Sequence, residues 1–382
     1  MQPWIDTNPA RAEYNTDMVN SERLLETFLS ILRIDSYYPN EDPVIDLLRP
    51  KLERAGVELT TDEHRNVLGY WPAAGDGPRG DSVLLCAHTD TVRPTPKMTP
   101  VIRNGAVHTD GSSVLGADDK AAVAAIVEAI EAIAEEGVGH PPAEVLFTVG
   151  EDVGHIGSKA FDVTPVRSRM AIVPDVDGTV GGIIMAGPWT ENIRVVFHGR
   201  AAHAGTEPEN GRSALSMAAR SIDLMTLGRI DEETTANVGQ LSGGEAANII
   251  PAAAELVLQV RSLDEGKFRA QREGLIECCR TGAAAFGGTM EVERLRGTTG
   301  YRFERDAPVV GRAEAAIQAA GLRPRLSTTC GGSDANELNA KGLATVVISV
   351  GYLDIHTNEE SMPLVELNRL AQVCRAAILG DS

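Results

Sequence analysis

The sequence predicts an α/β protein in which a mainly parallel sheet with helices on both faces is interrupted by a smaller ferredoxin-like α+β domain. Three observations carry this. Four short runs, Ser82–Ala87, Glu144–Val149, Met170–Val173 and Ala344–Val350, are dense in branched aliphatics and flanked by glycine, proline or aspartate, as strands covered on both faces are. Between the first two, the alanine-rich stretch from Asp119 to Glu135 is apolar on most sides and stops at Gly137, which reads as a helix packed tightly on that sheet. The middle of the chain reads strand, helix, strand, strand, helix, strand, which is the ferredoxin-like order. A length of 382 residues, against a prior of roughly 150 per domain, accommodates two such units.

Taken in order, Leu24, Leu25, Phe28, Leu29, Ile31 and Leu32 recur at helical spacing within 21–34 with Ser21 as N-cap, and 43–55 reads similarly. Gly75, Gly77 and Gly80 satisfy GxGxxG, but they precede a strand and Pro78 interrupts them, so they read as a turn and not as a dinucleotide fingerprint. Farther on, Ile193, Val195 and Phe197 alternate with less apolar positions, the pattern of a half-exposed strand. A helix over 213–227, strands near 236–241 and 254–261, a helix over 264–285 and a strand over 289–295 follow. Gly187-Pro188 and Gly297–Gly300 are the connections, which divides the chain into 1–188, 189–300 and 301–382, the first and last forming one domain.

Composition narrows the function classes. The 35 basic and 54 acidic residues give a net charge of −19, and lysine occurs only at positions 51, 97, 120, 159, 267 and 341. Such a surface repels phosphate backbones and anionic lipid, so no nucleic-acid or membrane partner is expected. The amino terminus has no basic region followed by an apolar one, and the longest apolar run is far too short for a bilayer, so the expected location is cytoplasmic. Five cysteines, only Cys278 and Cys279 adjacent, fit neither a disulfide framework nor a metal knuckle and are expected to stay reduced.

The informative feature is where polar residues fall. Ligands of open α/β sheets bind beyond the carboxyl ends of the strands, and each of the four outer runs delivers a metal-capable residue there: His88 and Asp90, Glu151 and Asp152, Asp175, and His356 after a short loop. Asp118 and Asp119 stand where a loop enters the alanine-rich helix. Two histidines and several carboxylates without thiolate suit zinc, manganese or cobalt, and the excess of carboxylate favours a pair of divalent ions. Two cations about 3.5–4 Å apart need a bridging carboxylate and can clamp a hydroxide; Asp118, short and at a helix start, suits the bridge. Glu151 and Asp152 point in different directions, so one can coordinate while the other handles protons. Asp90, two residues beyond His88 on an extended strand, can hold the imidazole from behind.

His88-Thr89-Asp90, Gly116-Ala117-Asp118-Asp119-Lys120, Gly150-Glu151-Asp152-Val153-Gly154, Asp175 in Pro-Asp-Val-Asp-Gly and His356-Thr357-Asn358-Glu359-Glu360 together resemble the ordered motifs of the co-catalytic zinc peptidases. This family includes peptidase T, carboxypeptidase G, aminoacylase and succinyl-diaminopimelate desuccinylase. The resemblance runs from residue 20 to residue 375. It implies one metal on His88 and Asp175, another on Asp152 and His356, Asp118 bridging, Glu151 as general base and Asp90 as supporting carboxylate. It also implies a cis peptide at Asp118-Asp119. Gly199–Gly205 with Pro208–Gly211 resembles the family's dimerisation segment, whose histidine, here His203, reaches into the partner's active site in a homodimer and stabilises the oxyanion. Asn248 and Arg261 match positions that contact substrate, and Gly331 and Gly332 match the glycine-rich loop lining the pocket.

The resemblance is nearest to the peptidase T branch, which removes amino-terminal residues from short peptides; a carboxypeptidase, dipeptidase or N-acyl-amino-acid hydrolase uses the same site. Asp152 departs from the usual glutamate by one methylene, and Asp177 is an alternative to Asp175. His64, His108, His140, His155 and His198 match no ligand position and are read as structural or solvated. A non-catalytic metal-binding dimer would be marked by loss of the base or of a ligand, and none is missing.

Overall fold

The structure, a computed structural model, describes residues 18–75 and 81–380. The extreme amino terminus, on which the cytoplasmic expectation partly rests, and Gly77 and Gly80 of the glycine-rich turn lie outside them. The larger domain is built on an eight-stranded sheet in the order Glu58–Thr61, Val67–Trp71, Ala143–Thr148, Val83–His88, Met170–Val176, Ala344–Ser349, Gly182–Ile184, Arg325–Ser327. Its four central strands, the four runs legible in the sequence, are mutually parallel. The flanking strands introduce antiparallel pairs on either side.

Alternate residues of the central strands serve two cores. Val83, Leu85, Ala87, Ile172, Val346 and Ile348 face a large cluster with Ser21–Leu32, Asp42–Arg54, Ala117–Glu136, Pro308–Ala319 and Leu364–Leu379. Leu84, Cys86, Ala171, Val173 and Val347 face a smaller one with Asp334–Ala340. The helix Ala117–Glu136 is buried on every side from Ala117 through Ile133, which alanine permits because neighbouring elements can approach its backbone closely. Its buried acids are met from outside: Arg23 bonds Glu128 through Nε (2.7 Å) and Nη2 (2.8 Å), and Lys51 reaches Glu131 at 3.1 Å. These pairs tie the two amino-terminal helices to the central one.

One local expectation is corrected. The first helix is capped by Asn20, whose side chain accepts from Arg23 N, while Ser21 Oγ donates to Asn368. At the start of the alanine-rich helix Ala117–Glu136, Asp118 and Asp119 are non-helical and joined by the cis peptide that the resemblance implies. The five cysteines are free. Among the described residues no helix is long and apolar enough to cross a membrane.

The small domain has the predicted order: Trp189–His198, helix Ala214–Leu224, Thr234–Gly243, Ala253–Ser262, helix Glu265–Ala285, Thr289–Thr298. Its antiparallel sheet runs Gly228–Arg229, Thr234–Gly243, Ala253–Ser262, Trp189–His198, Thr289–Thr298. Ile193, Val195, Phe197, Leu256, Leu258 and Val260 face the two helices in a core of their own. The chain enters and leaves this domain beside itself, since Ala186–Gly187 pairs with Tyr301–Arg302.

The two helices of this domain meet at Gly282, where a Cβ would lie 2.1 Å from Ser221 Oγ and 2.7 Å from the Met217 carbonyl oxygen. Gly282→Ala gains about 1 kcal/mol of helix propensity, but forcing the helices apart costs about 1–3 kcal/mol. A lowered midpoint in thermal or urea melts is expected; a raised midpoint would show that the helices separate freely.

Candidate active site

The site forms where the parallel strands end. After Val83–His88 the chain stays extended, Thr89 N donating to Thr148 O at 3.0 Å, which carries Asp90 beneath the imidazole. The Asp90 carboxylate, fully buried, stands 3.2 Å from His88 Nδ1 and accepts from the backbone N–H groups of Glu151 (2.9 Å) and Asp152 (3.2 Å). One side chain thus orients the histidine and fixes the turn that presents both acids.

The turn at Gly116, φ 75°, delivers Asp118. Glu360, buried in the loop after His356, accepts from Gly116 N (2.8 Å) and Asp118 N (3.1 Å) and so fixes the backbone at that point. The Asp118 carboxylate lies between the two histidines, Oδ1 3.3 Å from His88 Nε2 and Oδ2 3.1 Å from His356 Nε2. Asp152 Oδ1 is 3.3 Å from the same His356 nitrogen, and Asp175 Oδ1 is 3.8 Å from His88 Nε2. Asp177 is exposed. His356 adopts φ 65°, and its carbonyl accepts from Arg93.

Three overlapping groups of ligand-capable atoms, each within 4.8 Å of one another, are present: His88 with Asp119 and Asp175, His88 with Asp90 and Asp152, and Asp118 with Asp152 and His356. The chemistry of this donor set fits divalent cations. Both Asp119 oxygens and Asp152 Oδ2 are buried without a hydrogen-bond partner, a costly state that a cation relieves. Burial drives the carboxyls of Asp119 and Asp175 well above the usual range, neighbouring carboxylates adding to it. Burial acts the same way on Asp118, but hydrogen bonds from His356 and His88 outweigh it and hold that carboxyl well below the usual range.

Glu151 is buried beside this cluster, its Oε1 3.1 Å from His155 Nε2. Burial pushes its carboxyl up, and His155 pulls it partly back. His155, which the motifs left without a role, is the neighbour of Glu151 that sequence reasoning missed. The i,i+4 spacing from Glu151 was a signal for it; its other partner, Glu337 Oε1 at 3.4 Å from Nδ1, is 182 residues away.

The remaining expected residues lie apart from the cluster. His203 is exposed and makes no hydrogen bond or ion pair with the clustered carboxylates; its Nδ1 accepts from Gly205 N and Thr206 N, both at 3.1 Å. Asn248 is exposed on a neighbouring segment, its carbonyl accepting from Ala204 N at 2.9 Å. Arg261 reaches across to the larger domain, Nη1 donating to the Cys330 carbonyl at 2.8 Å. Gly331 and Gly332 are exposed and follow directly, and a Cβ on Gly332 would lie 3.2 Å from His155 Cε1.

Residues 84–380 match the model of peptidase family M20/M25/M40. The chain belongs to this family. It is therefore a metal-dependent hydrolase, and it sits in the peptidase T-like branch. Protein YqjE of Bacillus subtilis (strain 168) is 39% identical over 368 residues, spanning 94% of this chain and 99% of its own. The crystal structure of aminopeptidase PepT from Bacillus cereus ATCC 10987 superposes with a TM-score of 0.89 at 36% identity, covering 95% of this chain and 99% of that one. A tripeptidase from Staphylococcus aureus gives 0.90 at 32% identity, covering 94% and 98%.

Asp118 faces both histidines of this M20 site, so Asp118→Asn should lower bound divalent metal measured by elemental analysis and abolish hydrolysis. Removal of metal by chelator should abolish hydrolysis of the unaltered enzyme, and added Zn²⁺, Mn²⁺ or Co²⁺ should restore it. Undiminished metal content in Asp118→Asn would exclude this carboxylate as a ligand.

Proposed function

We propose that this chain is an aminopeptidase of the peptidase T kind, which removes the amino-terminal residue of short peptides in the cytoplasm and works as a homodimer. The observation that carries the reading is the Asp118 carboxylate lying between His88 and His356, with Glu151 next to Asp152. The 36% and 32% identity to an aminopeptidase and a tripeptidase over nearly the whole chain supports the substrate class. Residues 1–188 and 301–382 make up the catalytic domain, and 189–300 the lid and dimerisation domain.

In this reading His88 and Asp175 would hold one divalent ion and Asp152 and His356 the other, with Asp118 available to both; zinc suits the set, as do manganese and cobalt. Bound there, the pair would supply acidification of a water and polarisation of the scissile carbonyl. Glu151 takes a proton from the attacking water and passes it to the leaving amine, a task helped by the burial that lifts its carboxyl. Asp90 keeps His88 and the Glu151–Asp152 turn in register throughout.

His203 supplies the oxyanion donor. With Nδ1 accepting from two backbone N–H groups, the neutral ring carries its proton on Nε2, free to donate. The ring makes no hydrogen bond or ion pair with its own chain's cluster, so hinge closure or a partner subunit must bring it to the substrate; in this reading it serves the site of a second subunit. The edge strand Thr289–Thr298, with Val292 38% and Leu295 44% exposed, provides a surface for isologous pairing. Arg261 and Asn248 engage the substrate's polar groups, and the backbone at Gly331 and Gly332 lines its path.

Four measurements test this. The metal-loaded enzyme should cleave a tripeptide with a free amino terminus and a blocked carboxyl terminus, and should ignore one with the amino terminus acylated; the reverse preference identifies a carboxypeptidase or acyl-amino-acid hydrolase. Glu151→Gln should keep its metal and lose about 10²–10⁴ in kcat. His203→Ala should lose about 10²–10³. Mixing it with Glu151→Gln should regain activity, because one site per heterodimer then has wild-type Glu151 from one chain and wild-type His203 from the other. No gain in proven heterodimers would return His203 to its own chain.

A further inference from the structure

His155 is a buried imidazole at the edge of the site, only 9% exposed, with a backbone at φ 57°. Its ring nitrogens both face carboxylate oxygens: Nε2 stands 3.1 Å from Glu151 Oε1 and Nδ1 3.4 Å from Glu337 Oε1. An imidazole so placed donates through both nitrogens. Burial opposes its charge, but the bonds to Glu151 and Glu337 outweigh this and push it up to about 10.

The surroundings keep the ring from turning away. His155 N donates to Glu151 O at 2.7 Å, so the two residues are joined through main chain as well as side chain. Glu337 belongs to the helix Asp334–Ala340, which is held to the same region by Lys159 Nζ, 3.9 Å from Glu337 Oε1 and 3.0 Å from the Gly154 carbonyl. On the remaining side Gly332 lies so close that a Cβ there would press on the ring at 3.2 Å. Glycine at that position leaves room for the imidazole.

We infer that His155 is a positioning residue for hydrolysis: it clamps the Glu151 carboxylate to the helix Asp334–Ala340, so that the base meets the attacking water in one orientation. The inference rests on Glu151 being the general base. A glutamate has three side-chain torsions and Glu151 needs one of its oxygens aimed at the water, so the Nε2–H bond to Oε1 leaves Oε2 for the reaction. Glu337 in turn stops the imidazole from following the glutamate when the proton moves.

The test compares His155→Ala, His155→Gln, Glu337→Gln and Glu151→Gln in metal-loaded enzyme on one peptide. His155→Ala should keep its metal content and KM and lose about 10–100-fold in kcat, the range seen when a group orienting a catalytic residue is removed. His155→Gln, which retains an N–H donor at the same backbone conformation, should recover most of the loss. Glu337→Gln should lower kcat without changing KM, and its effect should vanish in the His155→Ala background. Full kcat in His155→Ala, loss of metal from it, or an additive Glu337→Gln effect overturns the proposal. If His155→Ala does not fold, Glu337→Ala, which has no acceptor for Nδ1–H, decides alone: wild-type kcat overturns the clamp, and a lowered kcat with unchanged KM upholds it. An active Glu151→Gln overturns the base assignment instead, whereas an inactive Glu151→Gln beside a fully active His155→Ala overturns only the clamp.

Discussion

A carboxylate withdrawn completely from water must find its partners inside the protein, and Asp90 finds His88 and the two N–H groups of the Glu151–Asp152 turn. These partners come from the ends of two adjacent parallel strands, so the same three interactions align the strands and set the spacing of the site. Removing the acid would leave two buried N–H donors unpaired, each costing about 1–3 kcal/mol, and would free the imidazole to rotate. Stability and chemistry therefore rest on the same atoms.

Around that centre the fold works by convergence. Parallel strands bring all their carboxyl ends to one edge, and residues 88, 152, 175 and 356, far apart in the chain, arrive there by topology alone. What remains is to hold a dense group of like charges together. The two histidines and the backbone donors offset part of the repulsion, and buried oxygens without partners remain in a set whose chemistry fits divalent metal. Among the described residues the small domain contributes no side chain to these groups; it has its own core and reaches the larger domain through Arg261 and the Cys330 carbonyl.

How much of this was legible in the sequence follows from how each feature is encoded. The central strands were plain because burial on both faces demands continuous branched aliphatic runs, and the residues beyond them were plain because α/β sheets bind at that end. The ferredoxin-like order was readable from alternation in Ile193, Val195 and Phe197 and from the two amphipathic helices. Flanking strands such as Glu58–Thr61, Gly182–Ile184 and Arg325–Ser327 were not, since three or four residues carry too little pattern. Asn20 displaced Ser21 as helix cap because Ser21 found a partner in Asn368, far along the chain. Glu337 opposite His155, and Glu360 under Asp118, likewise depend on long-range proximity that spacing does not encode.

The helix Ala117–Glu136 has a further meaning for anyone altering this protein. It is buried on all sides through Ile133, and the non-helical segment that carries Asp118 and Asp119 leads directly into it, so the core and the site are joined at that kink. A larger side chain at Ala122 or Ala125, both fully buried, overpacks the helix within a few residues of that junction. In most enzymes the interior tolerates volume-conserving redesign at a distance from the chemistry; here the middle of the hydrophobic core is mechanically part of the catalytic apparatus, and engineering for robustness belongs on the outer helices instead.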